Sequence, residues 1–195
     1  MTESISCPAL GEQIVVRTVI QDDATAATRA SLRWAREEEA KVGAGIWMRW
    51  TDGSHSDDGR AGAAAVCKHR DEWRSRRSHL GTGRMETFDA ELWAIGLAHE
   101  ATIEKTETMQ RHGLRTVAVF SDSQAAVRPP AHLERGSGQL LARWINRRAQ
   151  ALLAYGIRTE IHWVPVHSGI ARNVEADRQA NIARDAWRDT EIERP

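Results

Sequence analysis

The 195-residue sequence contains only two cysteines, Cys7 and Cys67, in no metal-type spacing. That excludes a disulfide framework and a structural zinc site, and it suits a reducing compartment. No window approaches the ~18 consecutive apolar residues that a membrane span needs. Residues 1–20 lack the basic start and apolar run of a secretory signal, so an intracellular protein, cytoplasmic or nuclear, is expected. Net charge is absent as well, because 27 acidic residues balance 27 basic ones. Bulk charge therefore announces no polyanionic partner, and any attraction to phosphate must be local. Lysine is nearly missing: 24 of the 27 basic residues are arginine. Arginine suits bidentate phosphate contacts, although an arginine-rich genome produces the same bias. There is no internal repeat and no low-complexity tract. Neither a Gly-x-Ser-x-Gly elbow nor a phosphate-cradling glycine loop occurs, which removes hydrolase-triad and nucleotide-triphosphatase readings.

What remains is an ordinary globular composition, 41% hydrophobic and 28% charged, of a length that suits one domain. Residues 1–44 read as an extension, partly helical. Gln13–Ile20 is rich in β-branched residues and could form a short strand with no identifiable partner. Asp22–Val42 reads as a helix with a thin apolar face. From Gly45 the pattern changes. Ile46–Thr51 reads as a strand ending at Asp52-Gly53-Ser54, and Asp57-Asp58-Gly59 as a turn. Ala61–Cys67 and Glu72–His79 complete an antiparallel meander. Thr87 is a candidate cap for a long helix running to about His112, with Phe88, Leu92, Ile95 and Ala98 on one face. Leu114–Ser121 is a short buried strand. A short helix, Ser123–Val127, stops at Pro129-Pro130. Gly138–Tyr155 is a helix with Leu140, Leu141, Trp144 and Ala151 facing inward. Ile157–Val164 is a strand, and Asn173–Trp187 the last helix. Helical crossovers after the meander place the later strands parallel to the first. The expected class is α/β, a mixed five-stranded sheet with helices on both faces. The expected boundaries are an extension over 1–44, a domain over 45–188 and a polar tail over 189–195.

Four acids occupy positions where side chains can converge. Asp52 ends the first strand, Glu91 lies early in the long helix, Asp122 ends the strand Val117–Ser121, and Asp177 lies one turn into the last helix. Ligands collect at the carboxyl ends of strands in open α/β sheets. Two carboxylates ~4 Å apart repel by roughly 4 kcal/mol at an effective dielectric near 20, so a cluster of acids calls for cations. Oxygen ligands without cysteine favour Mg²⁺ or Mn²⁺ over Zn²⁺. Taken singly, each acid also suits a solvated surface position or a helix cap, and Asp122 could cap the helix at Ser123.

Four sequence blocks carry a resemblance. They are Thr51-Asp52-Gly53-Ser54, then Asp89–Ile95 (DAELWAI), then Phe120–Ala126 (FSDSQAA), and Trp163–Ile170 (WVPVHSGI) continuing to Asn173 and Glu175-Ala176-Asp177. In this order they resemble the ribonuclease H domains fused to reverse transcriptases of non-LTR retrotransposons, over about residues 46–184. The resemblance implies a ribonuclease H-like fold and a metal-dependent endonuclease cutting the RNA strand of RNA–DNA hybrids. It implies that Asp52, Glu91, Asp122 and Asp177 bind two Mg²⁺ ions, with Mn²⁺ an alternative, and that His167 assists proton transfer or product departure. It implies that Gly53, Ser54, Gln124 and Asn173 contact substrate, and that the chain is covalently linked to a reverse transcriptase. No membrane partner is expected. A non-catalytic binding or spacer module of the same fold is the alternative, and the presence of all four acids argues against it.

The sequence also departs from that family. Val166 stands where glycine usually precedes the loop histidine, Arg172 where glycine precedes Asn173, and Val174 where glutamate often follows. A β-branched valine resists φ > 0, so a stiffer His167 loop is expected. Lys68–His79 is a basic stretch, either a solvated hairpin or a phosphate-contacting edge. Trp73 is expected to be buried. Trp93 and Trp163 are expected in the core.

Overall fold

The computed structural model describes residues 3–6, 14–18, 46–69, 72–83, 85–127, 137–165 and 170–186. The strands are β1 (Glu3–Ser6), β2 (Ile14–Thr18), β3 (Ile46–His55), β4 (Arg60–His69), β5 (Glu72–Thr82), β6 (Thr116–Ser121) and β7 (Arg158–Trp163). The helices are α1 (Thr87–Ile103), α2 (Thr106–Arg111), α3 (Gln124–Val127), α4 (Ser137–Ala154) and α5 (Ala171–Asp185). The sheet order is β1-β2-β7-β6-β3-β4-β5. Strands β3, β4 and β5 form the antiparallel meander, and β6 and β7 join parallel to β3 and to each other.

These five strands are the sheet the sequence implies. Two more lie in the stretch read as an extension. Strand β2 pairs parallel with β7, and β1 pairs antiparallel with β2. The expected strand at Gln13–Ile20 therefore has a partner, the free edge of β7. Expectations for the helix at Asp22–Val42, for Pro129-Pro130 and for the tail lie outside the described residues.

Alternation along the strands sorts their side chains onto two faces. On one face Trp47, Ala63, Ala65, Val117 and Val119 pack with Leu92 and Ile95 of α1 and Leu141 and Ile145 of α4. On the other, Met48, Trp50, Val66, Ala118 and Phe120 pack under Ala176 of α5. Trp50 stacks on Phe120 with ring centroids 4.3 Å apart. Two glycines let the helices approach. A Cβ on Gly53 would lie 2.4 Å from the Glu91 nitrogen of α1, and one on Gly62 would lie 2.2 Å from the Arg184 nitrogen of α5. Only a residue without Cβ lets helix and strand backbones meet so closely.

Several local expectations are corrected. Strand β3 runs through Asp52-Gly53-Ser54 to His55, and the chain turns at Asp57-Asp58-Gly59, where Gly59 has φ 83. The α1 cap is Glu86 and not Thr87. The Glu86 side chain accepts from the Asp89 backbone N–H, and the Asp89 side chain accepts from the Glu86 N–H, a reciprocal box. The long helix is two helices. Thr102 Oγ1 donates to the Ala98 carbonyl at 2.6 Å and Thr106 Oγ1 to the Ile103 carbonyl at 3.1 Å, and such back-bonding competes with the helical ladder at this break. Leu140 is 67% exposed, because the inward stripe of α4 runs through Leu141, Ile145, Ala149 and Leu152. Trp73 is exposed on the edge strand β5. Trp163 is only partly buried, and its indole N–H donates to the Asp122 carbonyl at 3.0 Å. His162, without an evident partner in the sequence, lies against Phe120 and meets Glu160 at 3.1 Å.

Candidate metal centre

The parallel pairing of β3 with β6 sets Thr51 opposite Ser121, so Asp52 and Asp122 follow at neighbouring strand positions. Helix α1 crosses Gly53 and brings Glu91 to the same place. One carboxylate oxygen from each of Asp52, Glu91 and Asp122 lies within 4.8 Å of the others. Three of the four expected acids thus converge. Asp177 is exposed on α5 and stands outside this group of three, although its charge is among those that act on Asp52.

Asp52 and Glu91 are each only 6% exposed. Burial, then the charges of Asp122 and Asp177, push Asp52 up to about 8. Burial, then the charges of Asp52 and Asp122, hold Glu91 well above the usual carboxylate range, against hydrogen bonds from the Gly53 N–H and the Ser121 hydroxyl. Among the described residues no lysine or arginine forms an ion pair with any of the three. The buried Oε2 of Glu91 has no hydrogen-bond partner. A buried, unpartnered carboxylate oxygen beside two further acids is the arrangement that a hard divalent cation relieves. An all-oxygen donor set fits Mg²⁺ or Mn²⁺, and Asp52, Glu91 and Asp122 are the residues that would hold it.

The expected substrate residues take structural positions around the acids. Asn173 is buried, and its Nδ2 donates to Asp122 Oδ2 at 2.9 Å. The Gly53 N–H is engaged by Glu91. Ser54 donates to Asn181 Oδ1 at 2.8 Å and accepts from Arg184 Nη1 at 2.9 Å. Asn181 Nδ2 in turn donates to Asp177 Oδ1 at 3.1 Å. A chain Arg184–Ser54–Asn181–Asp177 therefore links strand β3 to the fourth acid. Sequence reasoning missed Asn181, although its i,i+4 spacing from Asp177 was a readable signal on a helix. Gln124 is exposed in the first turn of α3. His167 and Val166 lie outside the described residues. Trp93 lies 5.2 Å from Trp144 between ring centroids, a partly buried pair at the edge of the core.

Residues 46–185 match the sequence model of the family described as RNase H. Among solved structures, the chain is similar to the N-terminal RNase H domain of Rv2228c from Mycobacterium tuberculosis, solved as a fusion with maltose-binding protein. That likeness has 25% identity and a TM-score of 0.51, over 75% of this chain and 98% of that one. It is also similar to RNase H1 from the halophilic archaeon Halobacterium salinarum NRC-1, at 23% identity and a TM-score of 0.47, over 73% of this chain and 99% of that one. No curated protein sequence matches it.

Proposed function

The chain belongs to the RNase H family, and we propose that it is a metal-dependent endonuclease that hydrolyses the RNA strand of RNA–DNA hybrids. The convergence of Asp52, Glu91 and Asp122, with no lysine or arginine paired to them among the described residues, carries this reading. Asp177 joins them as the fourth acid, linked to β3 through Asn181 and Ser54. Asp52, Glu91 and Asp122 would hold divalent ions, which when bound would supply Lewis acidity toward water and the leaving oxygen of a phosphodiester, for hydrolysis to a 3′-hydroxyl and a 5′-phosphate. The chain's own residues prepare the site. Asn173 fixes the rotation of Asp122, and the Trp163 indole fixes the carbonyl of the same residue. Glu91 keeps one oxygen free for a ligand. His167 moves a proton at the leaving group or assists its departure. Gln124 and the Gly53-Ser54 segment lie against the RNA strand, which its 2′-hydroxyls distinguish from DNA.

The proposed setting is intracellular, with the domain linked to a retrotransposon reverse transcriptase. The four motif blocks support it. Among the described residues no helix is long and apolar enough to cross a membrane. A substrate panel tests the activity. Labelled RNA–DNA hybrid should be cut in Mg²⁺ and left intact in chelator, with duplex DNA and duplex RNA both uncut. Hybrid binding with no cleavage in either Mg²⁺ or Mn²⁺ would identify a non-catalytic module instead. A reverse transcriptase coded in the same reading frame tests the setting.

A further inference from the structure

A second cluster of like charge lies on the α1 side of the sheet, at the opposite end of β3 from the acids. Arg49 is 5% exposed, an arginine set among the apolar residues of a central strand. Its Nε donates to Thr102 Oγ1 at 2.7 Å and its Nη2 to the Ala101 carbonyl at 2.8 Å. Its Nη1 meets only the Cys67 sulfur, at 3.8 Å. A guanidinium carries five N–H donors, so part of this fork points at no good acceptor. Among the described residues no carboxylate lies within ion-pair distance of it. Burying a charge without a counter-charge is costly, and an anion brought to it is correspondingly favoured.

Arg49 lines a cavity of about 430 Å³. Trp47 lies beside the guanidinium at 5.3 Å, and the walls carry Arg74, Arg76 and Lys105. The one described carboxylate in the lining is Glu104, and Arg76 pairs with it. Arg49 feels the Glu104 charge as well, but among the described residues Arg49, Arg74 and Lys105 have no ion pair of their own, so the lining carries four cations against one carboxylate. A dianion with several acceptor oxygens fits three cations and a half-satisfied arginine fork better than a single carboxylate does. The volume exceeds what a lone phosphate needs and has room for one nucleotide.

We propose that this cavity is a binding site for a phosphate monoester of mononucleotide size, separate from the acid cluster. Arg49 and Asp52 are three positions apart, roughly 10 Å along β3, and the odd spacing turns their side chains to opposite faces. The ligand's source is either a free mononucleotide or the 5′-phosphorylated end of a short nucleic acid, and the phosphate monoester is common to both.

The test uses the full chain in chelator, so that no divalent ion recruits phosphate to the acids. Calorimetric titration and thermal melting are run with inorganic phosphate, a nucleoside 5′-monophosphate, the matching nucleoside, and a 5′-phosphorylated or 5′-hydroxyl dinucleotide. Saturable binding and a raised melting temperature are expected with the monophosphate, and neither with the nucleoside. A free-nucleotide site gives tighter binding of the monophosphate than of either dinucleotide. An end-recognition site gives tighter binding of the phosphorylated dinucleotide. Arg49→Met removes the floor but can unfold the protein, so the exposed wall variants Arg74→Glu and Lys105→Glu carry the assignment. Each should weaken monophosphate binding at least tenfold, and Asp52→Asn should leave it unchanged. Absence of saturable binding for every phosphate ligand at millimolar concentration, or equal affinity in the wall variants, overturns the proposal.

Discussion

Asp52 and Arg49 sit three residues apart on one strand, and both are almost fully out of water. Each has mostly charge of its own sign around it, acids at the Asp52 end and, at the Arg49 end, two arginines and a lysine against the single carboxylate of Glu104. They differ in how they can respond. A carboxylate under such pressure takes up a proton, and Asp52 is accordingly pushed up to about 8. Arginine keeps its charge, so the Arg49 end has only hydrogen bonds and a visiting anion to settle it. The acid end is therefore sensitive to both pH and divalent cations, and the basic end to anions. Alternation along β3 keeps the two from neutralising each other.

The largest effect that would break this contrast is on cleavage. Asp52→Asn preserves shape and removes the charge, so hybrid cleavage should fall to background with the protein still folded by circular dichroism. Retained activity would show that the acids do not form one site. The next effect is on stability in the absence of metal. Asp52 holds its proton up to about pH 8 in the folded protein, whereas the unfolded chain releases it near ~4. Folded protein thus binds more protons between those values, and stability falls as pH rises across them. Glu91 acts in the same direction. Melting in chelator should be higher at pH 5 than at pH 8, by on the order of a few kcal/mol in stability. Saturating Mg²⁺ should close much of that gap, since an ion at 100 times its dissociation constant adds about 2.7 kcal/mol. Phosphate ligands at the Arg49 end should not.

Smaller changes sharpen the geometry. Gly53→Ala places a methyl group against the α1 backbone, and chemical denaturation should show a loss of about 1–3 kcal/mol. Asn181→Ala frees Asp177 from its link to Ser54. Loss of such a supporting partner costs about 10-fold in activity or metal affinity, and Asn181→Asp should rescue neither.

The acid site was largely legible because its residues sit in short blocks whose order survives in the sequence. The five-stranded sheet was legible for a related reason, since strand and helix periods alternate cleanly after Gly45. Strand β1 was not, because Glu3–Ser6 is polar and short, and its place depends on a neighbour, β2, that itself depends on the distant edge of β7. The Glu86 cap was hidden behind a better-looking threonine, since its strength lies in reciprocity with Asp89. The roles of Asn173 and Ser54 were hidden too. Both are small polar residues whose partners, Asp122 and Asn181, are distant in sequence. Arg49 gave a local signal, a charge inside an apolar strand, but its like-charged neighbours come from β5 and the α1–α2 turn.

Calorimetric titration of Mg²⁺ into the metal-free protein at pH 7, repeated in two buffers of different ionisation heat, addresses the acid cluster most directly. Binding should release protons, because Asp52 and Glu91 must lose theirs to become ligands, and Asp52→Asn should abolish or sharply weaken it. Failure of Mg²⁺ and Mn²⁺ to bind, or binding that releases no proton and survives Asp52→Asn, would contradict a metal centre at Asp52, Glu91 and Asp122.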